Sequence, residues 1–399
     1  MSKWPVRPLG DAYWFQEGPG VRKWQFRGTG VKLLNVANIT SEGNLDLSST
    51  ERYLAQEEVQ EKYSHFLIDA GDMVIASSGI SFDKDGLLRT RGVFVETQHL
   101  PLCLNTSTIR FKPEKGVSSL GWLRHWLESA EFRGQITRLV TGSAQQNFGP
   151  SHLRATTITL PPLAEQERIV KLLDEADGLR KLRAQADRRT ADLIPALFHE
   201  MFGETAENLK GWPVKGLGDV LSVSPERADP ANYPDRLFNY VGLESVEGDT
   251  GKLLPFQLTL GAEIKSIKNV FHPGEILFGR LRPYLNKVHL AVAHGICSTD
   301  IYVLRPQNGV IHPSYVACYL RSSYVLSAAS GTVTGANLPR ISRDALLAIH
   351  CPVPPIALQR YFGERIAEIR QIECAQATSR ARLDALFQSM LHRAFNGEM

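Results

Sequence analysis

The sequence lacks several features that would place it in a common protein class. Its 399 residues contain no run of about 18 consecutive apolar side chains, so we expect no membrane-spanning helix. No apolar stretch follows Lys3, and the start therefore does not resemble a signal peptide. The five cysteines are scattered, which favours reduced thiols over a disulfide framework or a zinc site. We expect a cytoplasmic protein without membrane contact.

Motifs of catalysis and cofactor binding are also missing. There is no phosphate-binding GxxxxGK[ST] loop, because Gly251-Lys252 is followed by leucine, and the histidines show no HExxH spacing. The segment 147–150 is not the Asn/Asp-Pro-Pro-aromatic motif of a methyltransferase, and 76–79 does not fit the nucleophile elbow of hydrolases. We expect a chain with no catalytic residue, metal or cofactor of its own.

Net charge is small, at +3, and does not by itself indicate a nucleic-acid partner. The slight positive excess lies in two separate blocks, 1–155 and 208–348. An ordinary solvated surface explains this distribution equally well.

What the sequence has instead is an internal repeat. Trp4-Pro-Val-Arg-Pro-Leu-Gly-Asp11 recurs as Trp212-Pro-Val-Lys-Gly-Leu-Gly-Asp219. The segment 70–76 matches 273–279, and both read as a turn followed by a short buried strand. Such self-similarity predicts two copies of one structural unit.

The longest match covers a helical stretch. Leu160-Pro-Pro-Leu-Ala-Glu-Gln166 corresponds to Val353-Pro-Pro-Ile-Ala-Leu-Gln359, and the same offset of 193 residues continues without a gap to Phe202 and Phe395. The paired prolines stop a strand and sit where a helix begins. A helix of roughly 40 residues at 1.5 Å rise per residue is about 60 Å long. We therefore predict that each copy is a mixed α/β module followed by a long helix.

Apolar residues recur at heptad spacing along both predicted helices. The predicted packing positions are Ile169, Leu172, Leu179, Leu193 and Leu197 in the first helix, and Phe362, Ile369, Ile372, Leu386 and Met390 in the second. This pattern predicts an antiparallel intramolecular coiled coil, with the two copies related by a pseudo-two-fold axis. The alternative, in which each helix packs separately on its own module, stays open. The expected domain limits are 1–155, 156–207, 208–348 and 349–399.

A rigid spacer between two similar modules suits a partner with two sites at a fixed separation. Double-stranded DNA offers this, because sites about 34 Å apart lie on the same face of the duplex. Arg, Lys, Asn and Gln pair with phosphates and base edges, and loops rich in them follow the buried strand of each copy. The predicted contacts are Lys84, Arg89, Arg91, Gln145, Gln146, Arg280, Arg282, Tyr284, Asn286, Lys287, Arg22, Lys23 and Arg27. Solvated surface loops are the alternative interpretation.

The segment 160–170 and the charged helix after it resemble the central conserved region of type I restriction–modification specificity subunits. Residues 353–360 together with 385–398 resemble the distal conserved region of that family. The second helix departs from the first in having Leu358 where the first has Glu165.

This resemblance covers essentially the whole chain and implies that each module is a target-recognition domain reading half of a split DNA site. It further implies that the helices carry two adenine-methyltransferase subunits, which bind S-adenosylmethionine, and that ATP-dependent restriction subunits can join. The competing hypothesis is a two-module protein–protein adaptor, which would lack the salt-sensitive DNA affinity that phosphate contacts cause.

Overall fold

The computed structural model describes residues 4–40, 43–78, 81–82, 88–90, 92–139, 147–204, 206–333 and 338–399; at 81–82 and 88–89 only the backbone is described. The chain forms two compact units. Unit 1 consists of residues 1–184 and 378–399, and unit 2 of residues 185–377. Each unit therefore combines one module of the repeat with parts of both long helices. These limits do not test the expected domain boundaries, which stay a prediction.

The module of unit 1 contains short strands and short helices. Its strands are β1 (Val6–Pro8), β2 (Tyr13–Glu17), β3 (Val31–Leu34), β4 (Tyr53–Leu54), β5 (Met73–Ala76), β6 (Ser81–Phe82), β7 (Leu88–Arg89), β8 (Gly92–Phe94), β9 (Leu102–Leu104), β10 (Thr108–Pro113) and β11 (Thr157–Thr159). Its helices are α1 (Leu9–Ala12), α2 (Gln56–Glu58), α3 (Leu120–Leu127), α4 (Ala130–Leu139) and α5 (Pro150–Arg154).

The second module repeats this order after two helical segments, α6 (Leu163–Ala191) and α7 (Leu193–Phe202). Its strands are β12 (Val214–Gly216), β13 (Leu221–Val223), β14 (Arg227–Ala228), β15 (Leu237–Phe238), β16 (Tyr240–Val241), β17 (Thr259–Leu260), β18 (Lys268–Phe271), β19 (Ile276–Gly279), β20 (Val288–Leu290), β21 (Gly295–Cys297), β22 (Ile301–Pro306) and β23 (His350–Pro352). Its helices are α8 (Leu217–Val220), α9 (Pro313–Leu320), α10 (Ser323–Gly331), α11 (Arg343–Leu347) and α12 (Ile356–Asn396).

The main sheets of the two units have the same strand order. Unit 1 has an antiparallel sheet in the order β2-β10-β5-β8, and unit 2 has the corresponding sheet β13-β22-β19-β20. A second sheet in each unit contains one parallel pair, β3 with β9 in unit 1 and β16 with β21 in unit 2. The mixed α/β class and the duplication predicted from the sequence agree with this architecture.

The central strands β5 and β19 form because four consecutive residues are buried behind a glycine turn. Gly71 before β5 has φ of 91° and Gly274 before β19 has φ of 87°, a region in which side chains other than glycine are strained. All four residues of each strand are buried. Because each strand is paired on both sides, the loop that follows it starts at a fixed point of the unit.

Buried glutamines anchor the long helices in the same way in both units. Gln166 Oε1 accepts from the N–H of Ser119 at 3.0 Å, and Nε2 donates to the carbonyls of Val117 and Pro161 at 2.8 and 2.9 Å. In unit 2, Gln359 Oε1 accepts from the N–H of His312 at 2.8 Å. Its Nε2 donates to the carbonyl of Val310 at 3.3 Å and to that of Pro354 at 2.7 Å. These two residues lie 193 positions after Val117 and Pro161 and are therefore their equivalents in the repeat. The glutamine of the repeated motif therefore fixes the start of each helix to its module.

The C-terminal end of each long helix packs into the unit that contains the other copy's module. In unit 1, Phe395 of α12 lies 4.5 Å, between ring centroids, from Trp122 of α3. In unit 2, Phe202 of α7 lies 4.7 Å from Tyr315 of α9. Phe202 and Phe395 are equivalent in the repeat, as are Trp122 and Tyr315. Each core is therefore completed by the helix end of the other copy.

The first long helix is interrupted, unlike the second. Helix α12 is continuous over 41 residues, whereas α6 ends at Ala191 and α7 begins at Leu193. Pro195 has no N–H and cannot continue the hydrogen-bond ladder of α6. The prediction of a single rod to Gly203 therefore has to be corrected at Asp192.

The heptad positions predicted for packing are only partly buried. Ile169 and Phe362 are buried, and Leu172, Leu197, Ile369 and Met390 are half-buried. Leu179, Leu193, Ile372 and Leu386 are exposed in this chain, and their predicted role in packing between helices or with partner subunits stays a prediction. Leu173, Phe387 and Leu391 are buried instead, because the helix face is selected by the module helices it covers as well as by the other long helix.

Candidate nucleic-acid interface

A loop starts at the same structural position in each unit, directly after the central strand. In unit 2, the N–H of Arg280 donates to the carbonyl of Asp300 at 2.9 Å, and its own carbonyl accepts from the N–H of Ile341 at 3.1 Å. Ser77 of unit 1 makes the same two bonds. Its N–H donates to the carbonyl of Ser107 at 3.0 Å, and its carbonyl accepts from the N–H of Phe148 at 3.1 Å. The structure therefore joins the residue after the central strand to Phe148 in unit 1 and to Ile341 in unit 2.

The loop of unit 2 presents cationic and aromatic side chains. Arg282 is exposed and has φ of 51°, in the left-handed region, so the backbone turns sharply there. Tyr284 is 53% exposed. The guanidinium of Arg280 lies over the ring of Tyr302, 4.9 Å from its centroid. Arg282 and Tyr284 are thus free to meet a ligand, whereas Arg280 is held half-buried at the base of the loop.

Asn286 and Lys287 were also predicted to contact DNA. In the structure, their polar groups form hydrogen bonds inside unit 2. Asn286 is buried, and its Nδ2 donates to Asp249 Oδ1 at 2.9 Å and to the carbonyl of Arg321 at 3.0 Å. Lys287 Nζ donates to the carbonyl of Leu243 at 2.7 Å. Both polar groups are used inside unit 2, so we leave these two residues out of the surface proposed below.

The corresponding contacts of unit 1 fall mostly on parts of the chain that cannot be described. Lys84, Arg91, Gln145 and Gln146 lie outside the described residues. For Arg89 only the backbone is described, in β7, where it pairs with Ser81. These five residues remain predictions.

A second basic segment of unit 1 lies on a 3-10 turn, Lys23–Gln25. Gln25 is buried and fixes the turn, since its Nε2 donates to Glu58 at 2.8 Å and to Tyr63 at 2.9 Å. Arg22 and Lys23 are exposed, as is Trp24 at 73%. An exposed indole between cations can stack on a base or lie against a sugar.

Arg27 differs from its neighbours, because its guanidinium is bound to its own segment. Nη1 donates to the carbonyls of Trp24 and Phe26 at 2.9 and 3.1 Å. These bonds hold the turn closed, and the remaining guanidinium N–H groups face solvent.

Other cations of unit 2 are neutralised by carboxylates. Arg305 pairs with Glu275 at 2.6 Å and with Glu226 at 2.9 Å. A hydrogen bond from His272, followed by that from Arg305, holds the pKa of Glu226 below its usual range. This cluster therefore adds little positive potential for a DNA backbone.

Two residues near these segments were not among the predicted contacts. Trp24 lies inside the segment 22–27, which combines basic residues with aromatics. Arg340 lies beside the loop of unit 2, where its Nε donates to Asp300 at 2.9 Å. The repeat could have indicated Arg340, because it follows the shared Thr-Gly segment and precedes Ile341.

No group of three or more His, Cys, Asp or Glu side chains that could hold a metal occurs among the described residues. In the same part of the chain, no helix combines the length and the apolar character needed to cross a membrane. The described residues define a mixed α/β protein of two similar units.

Comparisons with known proteins agree with this class. The type I restriction modification DNA specificity domain matches residues 1–186. The chain is 29% identical over 192 residues to the type I restriction enzyme EcoDI specificity subunit of Escherichia coli, covering 47% of this chain and 42% of that one. It is 24% identical over 348 residues to the EcoKI specificity subunit of E. coli strain K12, covering 76% and 70%. The match thus spans less than half of the EcoDI subunit.

Solved structures share the fold. A chain from a study of complex assembly and conformational transition in the type I R-M system superposes with a TM-score of 0.58 at 19% identity, covering 99% of this chain and 98% of that one. The S subunit of the type I system of M. genitalium gives 0.55 at 15% identity, covering 99% and 96%. The family match is shown for residues 1–186, a little less than half of this chain, and the solved structures add a shared fold.

Proposed function

We propose that this chain reads a bipartite DNA site and directs adenine-methyltransferase and restriction subunits to it. The observation that carries the proposal is the duplication of the candidate interface: Ser77 and Arg280 hold equivalent loops by the same two backbone hydrogen bonds. Two equivalent surfaces with different side chains suit two half-sites of different sequence.

The surface that we propose for DNA includes exposed cations and aromatics in each unit. It comprises Arg22, Lys23 and Trp24 in unit 1 and Arg282 and Tyr284 in unit 2. Arg27, Arg280 and the half-buried Arg340, which pairs with Asp300, support them. The predicted Lys84, Arg89, Arg91, Gln145 and Gln146 belong to the same proposal for unit 1. Cations would neutralise phosphates, and aromatic rings would pack on sugars or bases.

We propose that the long helices form the antiparallel coiled coil and obey the pseudo-two-fold relation expected from the sequence. Contacts inside each unit support this. In unit 2, Gln376 donates to Thr190 at 2.9 Å, and Phe362 contacts Phe198 at 5.6 Å between centroids, so the numbering rises along one helix and falls along the other. In unit 1, Arg180 bonds Asp384 at 2.7 Å.

The same helices would carry two methyltransferase subunits. Leu179, Leu182, Leu193, Ile372 and Leu386 are between 46% and 63% exposed, an unusual share of leucine and isoleucine to leave in water. Covering these side chains with partner helices would remove that apolar surface. S-adenosylmethionine would bind to the partner subunits, and this chain would contribute no catalytic residue.

The decisive experiment is to map methylated adenine across the genome of a methylation-free host. The host would express this chain with its neighbouring methyltransferase, and the methyltransferase alone would be the control. A split motif with a fixed spacer, found only when both chains are present, would support the proposal. No new methylation from two soluble, co-purifying proteins would refute it.

Salt dependence separates the proposal from a protein–protein adaptor. A specificity subunit should lose affinity for duplex DNA steeply as salt rises, because each phosphate contact releases a counterion. An adaptor would bind its partner with little change and DNA weakly at every salt concentration.

A further inference from the structure

Unit 2 contains a cavity of about 500 Å³ that the proposed function does not use. Its walls are α7, the start of α10, the turn at 249–252 and one face of α12. Ile194, Pro195 and Phe198 supply much of its apolar lining. This volume lies within the range typical of sites for small organic molecules, about 300–1,000 Å³.

The equivalent position in unit 1 is filled. Phe387 stands 193 positions after Ile194 and is buried, with the guanidinium of Arg180 4.4 Å from its ring centroid. Arg180 also bonds Asp384 at 2.7 Å. In unit 2 the residues equivalent to Arg180 and Asp384 are Glu373 and Ala191. One copy of the repeat therefore closes this space with an aromatic ring and an ion pair, and the other copy leaves it open.

Two guanidinium groups at the cavity are not neutralised by carboxylates. Arg321 donates to two neutral acceptors, the carbonyl of Val288 at 3.1 Å and Sγ of Cys318 at 3.2 Å. Arg370 makes no hydrogen bond or ion pair within the described part of the chain. Burial raises the pKa of the Cys318 thiol, and the charges of Arg321 and Arg370 oppose that rise, which indicates that both lie close to it.

The carboxylates that line the cavity have other partners. Glu373 pairs with Lys252 at 2.8 Å, and Glu204 with His199 at 3.2 Å. Asp249 accepts from Asn286 at 2.9 Å. Three of the four carboxylates thus have partners of their own, and the partner of Glu373, Lys252, also lines the cavity; Asp192 is the fourth. The guanidinium of Arg370 is left to meet an incoming anion, with Arg321 beside it.

We propose that this cavity binds a small organic anion, a phosphate or carboxylate attached to a flat apolar group. Arg370 and Arg321 bind the anionic oxygens, since the guanidinium fork matches both phosphate and carboxylate. Phe198 and Ile194 pack against the apolar part. Asn286, in the loop that carries Arg282, bonds the lining residues Asp249 and Arg321. The inference does not rest on the proposed function.

Calorimetric titration of the full chain, free of other subunits, tests this site with adenosine monophosphate, a phosphate, and 2-naphthoate, a carboxylate, as probes. At least one probe should bind with one-to-one stoichiometry, and adenosine and inorganic phosphate should each bind more weakly. Arg370→Gln should weaken binding at least about tenfold, the effect expected from losing hydrogen bonds to a charged group. Ile194→Phe, which copies unit 1, should abolish binding while leaving the melting temperature unchanged or higher.

Two further variants serve as controls. Arg365→Gln removes a guanidinium from the same helix, one that pairs with Glu368 outside the cavity. Arg282→Ala removes a cation from the candidate DNA surface. Both should bind the probe like the unaltered chain. Absence of binding by both probes would overturn the proposal, as would binding that neither Arg370→Gln nor Ile194→Phe reduces. DNA affinity is measured separately, so failure of one proposal leaves the other distinguishable.

Discussion

The anchoring of the long helices is the same in the two units, whereas the packing beside it differs. Gln166 and Gln359 make three hydrogen bonds each to equivalent backbone groups. Elsewhere on the long helices, Phe387 fills a buried position of unit 1, whereas its equivalent in unit 2, Ile194, borders a cavity. Buried hydrogen bonds tolerate little change because an unpaired polar group is costly, but apolar packing can be filled or left open.

The largest expected effect distinguishes the filled position from the open one. Phe387→Ala should lower the free energy of unfolding by about 3–5 kcal/mol, because it leaves a cavity in a closed core. Ile194→Ala should cost only about 1 kcal/mol, since that side chain already borders an open space. Urea denaturation followed by circular dichroism measures both. Equal losses of unfolding free energy in Phe387→Ala and Ile194→Ala would show that the two positions are packed equally well.

Replacing the anchoring glutamines should affect both units alike. Gln166→Leu and Gln359→Leu should each cost about 2–3 kcal/mol, because buried backbone carbonyls and one N–H lose their partner. The same denaturation experiment applies, with Gln388→Leu on the exposed face of α12 as the matched control. A loss at one glutamine only would contradict the equivalence of the two anchors.

One pH dependence should come from Glu131 of unit 1, which has no carboxylate equivalent in unit 2. Burial raises the pKa of Glu131 in α4 to about 7 from its ordinary value of 4.5, whereas the equivalent residue of unit 2 is Tyr324. Between these values the unfolded chain has released the proton and the folded chain retains it, so stability falls as pH rises.

The fall should be about 1–2 kcal/mol from pH 5 to pH 8, allowing for the partial exposure of Glu131. Glu131→Gln should flatten this dependence, as thermal unfolding across that pH range would show. An unchanged slope in the variant would mean that another group is responsible.

The smallest expected effects concern DNA. Arg282→Ala in unit 2 and Arg22→Ala in unit 1 should each weaken binding to a duplex with the full site by roughly 3- to 10-fold. Each should also reduce the slope of log affinity against log salt by about 1, as for the loss of one phosphate contact. Arg188→Ala, an exposed change on α6, is the control. A slope unchanged by Arg282→Ala would remove that residue from the proposed surface.

Local patterns predicted much of this architecture. The buried strands after Gly71 and Gly274 could be recognised because a glycine turn and a short apolar run are neighbours in sequence. Pro195 marked a weak point in the first helix, and the structure breaks there. The heptad pattern did not by itself identify the buried positions, since Leu179 and Leu386 fit the spacing yet are exposed in this chain.

The repeat predicted that a candidate DNA-binding loop begins after each central strand, and that role stays a proposal. The role of Asn286 could not be predicted, because its hydrogen bonds run to Asp249 and Arg321, which lie 37 and 35 positions away along the chain. Arg282 and Asn286 look alike as polar loop residues, and only the fold shows that one side chain points to solvent and the other inward.

The sequence by itself determined that the chain is a duplicated α/β module with two long helices, because periodicity and repeated motifs are local properties. The tertiary structure decided which helix end completes each unit. It also decided which leucines are buried and that unit 2 keeps a cavity where unit 1 has Phe387. These depend on contacts between side chains far apart in sequence, and such contacts are set by the packing of whole elements.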